Sequence, residues 1–209
     1  MHIDLFPQRI YKYSLNDPEL KNALIQRYQS FKNHATNGTP DGWSCEVRTE
    51  FGTGSFPHEY SNIYNDILYQ WKDDMRFIGR PIIDEIWMNA YEKAHYQEGH
   101  THLPGFFSGI HYVCFDPEHH NGTTFINPQS NIYSYLTNMM NSDCEGTTID
   151  MDVNRHLDEM NDVDVEEGDV IIFPSTLEHM VKKNMSDKLR ITVSFNINRV
   201  AETARRVFG

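Results

Sequence analysis

Cysteine is scarce in this chain: Cys45, Cys114 and Cys144 are the only three among 209 residues, odd in number, widely spaced and without a C-x-x-C pair. Neither a disulfide framework nor a thiolate zinc site is indicated, and a reducing cytoplasm is the simplest setting. Long apolar runs are missing too. Nowhere do about eighteen apolar residues follow one another, so no transmembrane helix is expected. The opening MHIDLFPQRIYKYSL places a proline and early charges where a signal peptide needs an unbroken apolar stretch. Positive charge is in deficit, with 18 Lys and Arg against 30 Asp and Glu and a formal net charge of −12. Such a surface repels a phosphate backbone, so no nucleic-acid partner is expected, although a local groove can still be positive. No repeat or low-complexity tract stands out, and the length suits a single domain, 1–209, with a core of its own.

What is present divides into a mixed first part and a β-rich second part. LFPQRIYKY reads as a short opening strand, and Asn16–Asp17 can cap a helix in which Leu20, Ala23, Leu24, Tyr28 and Phe31 recur at helical spacing. NGTPDG is a turn. Ile63, Ile67, Leu68, Trp71, Met75 and Ile78 trace one face of a second helix, expected to stop at Gly79 and Pro81. Residues 1–81 therefore read as helical support for a sheet. From Ile82 onward, IIDEIWMNAY, GIHYVCF, TTFIN, DVIIFP and RITVSFNI are short runs of β-branched and aromatic residues between Gly, Pro, Asn and Asp. The expected fold is α+β, mainly β: a double-sheet barrel or jelly roll flanked by N-terminal helices. Residues 127–165 are polar and irregular, with Tyr133, Tyr135, Met139 and Met140 near a possible helix and an acidic patch behind it; they read as an insertion or lid over the barrel mouth.

Residues 98–104, EGHTHLP, hold His100 and His102, and the later FPSTLEH ends at His179. In an extended segment, side chains at i and i+2 share a face, so His100 and His102 project together. An antiparallel sandwich can set the strand that starts at His179 beside them, gathering three imidazoles around one ion. Neutral imidazole suits iron, zinc, copper or nickel better than magnesium or calcium. The bland alternative is real, since the chain has 11 histidines and an H-x-H pair arises easily by chance. His156 and Asp158 form a literal H-x-D, but only about twenty residues separate that pair from His179, too few for the several strands that normally lie between such ligands, so both read as solvated surface.

In RITVSFNIN, Arg190, Thr192, Ser194 and Asn196 share one strand face, and Ile191, Val193, Phe195 and Ile197 share the other. The apolar row belongs to the core. The polar row offers a guanidinium, two hydroxyls and an amide, a set able to hold a carboxylate by charge-assisted hydrogen bonds. From alternation alone, the expected reading is the solvent face of an edge strand.

H-x-H, then SGIHYV, GDVIIFPSTLEH and RITVSFN, together with LFP near the start, GWSC and WMN, resemble the 2-oxoglutarate and Fe(II)-dependent oxygenases, specifically a small bacterial and bacteriophage subgroup. The resemblance spans nearly the whole chain and is most specific in its C-terminal block. It implies a double-stranded β-helix with Fe(II) on His100, His102 and His179, and with 2-oxoglutarate chelating the metal while its far carboxylate meets Arg190. Thr192 or Ser194 would add a hydroxyl, and Asn89 and Tyr91 on WMNAY a further co-substrate contact. Dioxygen and an unidentified primary substrate, a protein side chain or a small molecule, complete the implied reaction, a hydroxylation in the cytoplasm, the host's if the chain is phage-encoded.

One departure stands out. Most of the superfamily carries H-x-D, and His102 occupies the carboxylate position here, which leaves metal identity open; the FDPE stretch at 115–118 is a candidate source of the missing charge. Three alternatives remain at this stage. A cupin-type enzyme would use the same histidines without 2-oxoglutarate, but the glutamate expected beyond H-x-H is absent and Thr176 replaces an expected glycine. A zinc hydrolase would also use them and leave the arginine strand unexplained. A non-catalytic binding protein on the same barrel would bind no divalent metal.

Overall fold

The computed structural model describes residues 8–32, 47–129 and 160–200. LFP, NGTPDG, GWSC, Tyr133, Tyr135, Met139, Met140, His156 and Asp158 lie outside the described residues. Ten strands and two α-helices are described: β1 (Tyr11–Ser14), α1 (Pro18–Phe31), β2 (Arg48–Thr49), α2 (Asn65–Met75), β3 (Arg80–Tyr91), β4 (Gln97–His100), β5 (Phe107–Cys114), β6 (Thr123–Ile126), β7 (Met160–Asp162), β8 (Asp169–Pro174), β9 (His179–Val181) and β10 (Arg190–Val200). They form a six-stranded sheet in the order β1-β8-β5-β10-β3-β2 and a four-stranded sheet in the order β4-β9-β6-β7. Every pairing is antiparallel. This is the mainly β, double-sheet architecture expected from the sequence. No helix among the described residues is long and apolar enough to cross a membrane.

The helices start where the sequence places them and end differently. Asp17 caps α1, its carboxylate accepting the Leu20 amide at 2.9 Å, and Pro18 sits at the first turn, where a missing N–H costs nothing. The second helical stretch opens as a 3-10 turn over His58–Tyr64, which holds Ile63, and continues as α2. It stops at Arg76, whose left-handed backbone (φ 54°) turns the chain before Gly79 is reached. Phe77 then packs back on Trp71 at 5.1 Å, and Ile78, expected on the buried face, is 82% exposed.

Both helices cover the outer face of the larger sheet. Leu20, Leu24 and Tyr28 of α1 and Ile67, Leu68 and Trp71 of α2 join Met88, Ala90, Val170, Ile172, Ile191, Val193, Phe195 and Ile197 in the main core. Phe195 lies so close over Gly109 that a Cβ there would meet its ring at 2.1 Å, which is why β5 carries a glycine at that position. A second cluster, with Ile110, Tyr112, Phe125, Ile171 and Phe173, fills the space between the sheets.

The position of β10 corrects the edge-strand reading. It lies inside the larger sheet, paired with β3 on one side and β5 on the other. Its polar row therefore faces the interior between the sheets, and Arg190, Thr192, Ser194 and Asn196 are all buried. Alternation cannot separate the two cases, because a polar cavity and bulk water demand the same residue types of a strand.

Candidate metal and co-substrate site

Pairing of β4 with β9 sets His100 directly opposite His179. His102 lies just past the end of β4, in a loop fixed by its own amide, which donates to the Ser175 carbonyl at 3.0 Å. The three rings converge, with centroids 4.4 Å apart for His100 and His179, 4.9 Å for His102 and His179, and 5.1 Å for His100 and His102. One ring nitrogen from each lies within 4.8 Å of the others.

The opposite nitrogen of each ring is tied to an oxygen. Nδ1 of His100 donates to the Glu98 carbonyl at 2.7 Å, Nδ1 of His179 to the Leu177 carbonyl at 3.0 Å, and Nδ1 of His102 to Asn196 Oδ1 at 3.2 Å. Those bonds select the tautomer that carries the lone pair on Nε2. The Nε2 atoms of His100 and His102 accordingly face each other at 3.1 Å. Burial pushes all three rings toward the neutral form, His102 down to about 4, and neighbouring imidazoles add to the lowering at His102 and His179. Neutral, oriented and convergent imidazoles are the donor set that a borderline transition metal requires.

Asn196, which the sequence offers as part of a carboxylate-holding row, instead serves a histidine. Its Oδ1 accepts from His102 and from Ser108 Oγ, while its Nδ2 donates to Glu85 Oε2 at 2.8 Å. The Glu85 carboxylate is thus joined to one ring of the triad through a single amide. No carboxylate among the described residues joins the cluster itself. Asp116 and Glu118 of the FDPE stretch instead form a separate group with His119, where Asp116 pairs with Lys188 at 2.5 Å.

Beside the triad, a small cavity is lined by Asn89, Tyr91, Gln97, Arg190, Thr192 and Ser194. Strand register brings them together, since Arg190 pairs with Tyr91, Thr192 with Asn89, and Ser194 with Trp87. The Arg190 guanidinium lies 5.0 to 5.6 Å from the ring centroids of Tyr91, Tyr112 and Phe115, and its Nε has no hydrogen-bond partner. No carboxylate among the described residues pairs with it. A buried cation with no carboxylate beside it costs several kcal/mol, a cost that an anion entering the cavity would offset. Asn89 donates to Ser194 Oγ at 3.1 Å and leaves its own Oδ1 unmet. Turned over, that amide would accept from Ser194 and offer its N–H groups to a ligand. The Tyr91 hydroxyl is engaged by Gln97 at 2.7 Å, so the ring of Tyr91 faces the arginine while its hydroxyl is occupied.

Comparison with known proteins agrees with this chemistry. Residues 85–196 match the family described as "Putative 2OG-Fe(II) oxygenase". No curated protein matches the chain in sequence. Among solved structures, a prolyl-4-hydroxylase from Pseudomonas putida is similar in fold, with 12% identity over 93% of this chain and 94% of that one and a TM-score of 0.56. The 2-oxoglutarate-dependent epimerase SnoN from nogalamycin biosynthesis matches with 13% identity, 92% and 79% coverage and a TM-score of 0.59. HygX from Streptomyces hygroscopicus, solved with nickel, 2-oxoglutarate and hygromycin B, matches with 11% identity, 94% and 89% coverage and a TM-score of 0.51. A hydroxylase, an epimerase and a protein that binds an antibiotic share this barrel, so the fold does not disclose a substrate. The cupin, zinc-hydrolase and non-catalytic alternatives give way: the matched segment carries the arginine strand as well as the first histidine pair and His179, and the chain belongs to the family of Fe(II)- and 2-oxoglutarate-dependent oxygenases.

Proposed function

We propose that His100, His102 and His179 hold Fe(II), that Arg190 receives the far carboxylate of 2-oxoglutarate, and that Thr192, Ser194 and Asn89 complete the co-substrate's contacts. The observation that supports this most is the buried, unpaired Arg190 sharing a cavity with three lone-pair-bearing imidazoles. When bound, Fe(II) supplies the redox chemistry that couples decarboxylation of 2-oxoglutarate, to succinate and CO2, with oxidation of a substrate by dioxygen.

The protein's own residues do the rest. The Nδ1 hydrogen bonds hold three Nε2 donors in place before any ligand arrives, so binding costs little reorganisation. Ser194 accepts from Asn89 and keeps its hydroxyl proton free to donate. Tyr91, Tyr112 and Phe115 surround the guanidinium without consuming its donors, and Phe125 and Phe173 pack against His179, keeping water from that side. The cavity at Arg190 measures about 10 Å³, the room of a single water, so a five-carbon diacid enters only as lining side chains turn aside. Gln97 borders it and the neighbouring cavity alike, and a swing of its side chain away from Tyr91 would widen the space. Scarce, odd-numbered cysteine supports a reducing, cytoplasmic setting.

An anaerobic titration tests the reading. Metal-free protein takes up Fe(II), and later addition of 2-oxoglutarate produces the weak visible charge-transfer band of a chelated keto acid. Fe(II) uptake without a band refutes the role given to the arginine cavity. Metal retention unchanged in His179→Ala refutes the triad.

A further inference from the structure

A second cavity, of about 180 Å³, reaches His100 and His102 but not His179. It shares Trp87, Gln97, His100 and His102 with the arginine cavity and contains neither Arg190 nor Thr192. Phe51, Leu103 and Glu85 line its remaining walls. Glu85 is the one charged residue among the described lining residues, the histidines being held neutral. Glu85 is an exposed residue, and one oxygen of its carboxylate already accepts from Asn196, two hydrogen bonds from the His102 ring. Phe51 stands edge-on against Trp87 at 4.9 Å and is itself 37% exposed, and Leu103 is 65% exposed.

The histidines therefore border two cavities, one holding a cation without a partner and the other a carboxylate with open acceptor sites. This polarity sorts ligands. An anion entering the Glu85 cavity meets a like charge, whereas a cation is drawn in and finds apolar and aromatic walls for its carbon chain. We infer that the primary substrate presents a cationic nitrogen, an alkyl-ammonium or guanidinium on an aliphatic arm, which Glu85 receives so that a carbon of that arm lies against the face of His100 and His102. This rests on the co-substrate assignment to the Arg190 side. The chemistry is shared by a free basic amino acid and a basic residue within a peptide.

The test uses the full chain loaded with Ni(II), which supports binding without turnover, and begins with 2-oxoglutarate alone. Absence of 2-oxoglutarate binding would count against the assignment on which the inference rests, independently of the Glu85 cavity. With 2-oxoglutarate bound, calorimetry compares lysine and arginine with their neutral counterparts norleucine and citrulline and with glutamate, each free and within a capped pentapeptide. The expected result is that cationic probes bind at least about tenfold tighter than the neutral ones in one of the two formats, the effect of one charge-assisted contact, and that Glu85→Gln erases the difference. The format that shows it identifies the source. Equal affinities, a preference for glutamate, no probe binding beside bound 2-oxoglutarate, or a cation preference that survives Glu85→Gln would each overturn the inference.

Discussion

On one face of β10, Ile191, Val193, Phe195 and Ile197 meet the helices; on the other, Arg190, Thr192, Ser194 and Asn196 meet the cavity between the sheets, and no residue of either row is more than 9% exposed. Burial is the same and its chemistry is opposite. The histidines repeat the contrast. His111, on the helix side of β5, has both nitrogens engaged by protein groups, with Tyr64 at its Nδ1 and the Leu15 carbonyl at its Nε2, each 3.0 Å away. His100, His102 and His179 each spend Nδ1 on an oxygen and turn Nε2 toward a shared point. The helix side is not free of unmet donors, since Trp71 Nε1 lacks a partner, but that is a neutral group, whereas Arg190 carries a full charge. A face that closes on itself is structural, and a face that leaves charge and lone pairs open is arranged for something yet to bind.

The contrast breaks most visibly on the structural side. Phe195→Ala removes a fully buried ring from the main core and is expected to lower stability by about 3 to 5 kcal/mol, read from denaturant melts, with 2-oxoglutarate affinity of the folded fraction unchanged. His111 comes next. Burial holds its pKa down to about 4 against an ordinary 6.5, so between those values the unfolded chain takes up a proton that the folded chain refuses. Stability is full above about pH 6.5 and falls by about 3 kcal/mol as pH drops through the window, and the slope of stability against pH is expected to be shallower in His111→Gln. On the other side of the sheet, Asn196→Ala removes the acceptor that orients His102 and its link to Glu85. A loss of about 10- to 100-fold in metal affinity is expected, with little change in the melting of the metal-free protein. Unchanged metal affinity would remove Asn196 and Glu85 from the account of the site.

Much of this was legible in the sequence, and the reasons for the remainder are physical. Runs of β-branched and aromatic residues between turn residues located β3, β5, β6, β8 and β10, because such side chains fill the pleated, buried surfaces of a two-layer barrel. The start of α1 was readable from Asn16–Asp17 as a cap. Its counterpart at the end of α2 was not, because a left-handed Arg76 leaves no compositional mark. The short β2, β4, β7 and β9 carry too few residues for periodicity, although the turn before His179 placed that residue at a strand start. His100, His102, His179 and Arg190 could be nominated from spacing and resemblance; that the polar row of β10 faces inward required the neighbouring strands. Glu85 and Gln97 carried no motif of their own and became visible only through register and hydrogen bonds, as did the contact of Asn196 with His102.

The most direct measurement is made on Arg190→Leu, a substitution that keeps side-chain bulk and removes the charge. In the metal-loaded protein, 2-oxoglutarate affinity is expected to fall by about a hundredfold with Fe(II) affinity unchanged. The metal-free variant should melt no lower than wild type, because an unpaired buried cation has been taken out of the interior. A destabilised variant that binds 2-oxoglutarate as tightly as wild type would contradict the account: Arg190 would then be a structural residue, and the polar face of β10 no more open than the apolar one.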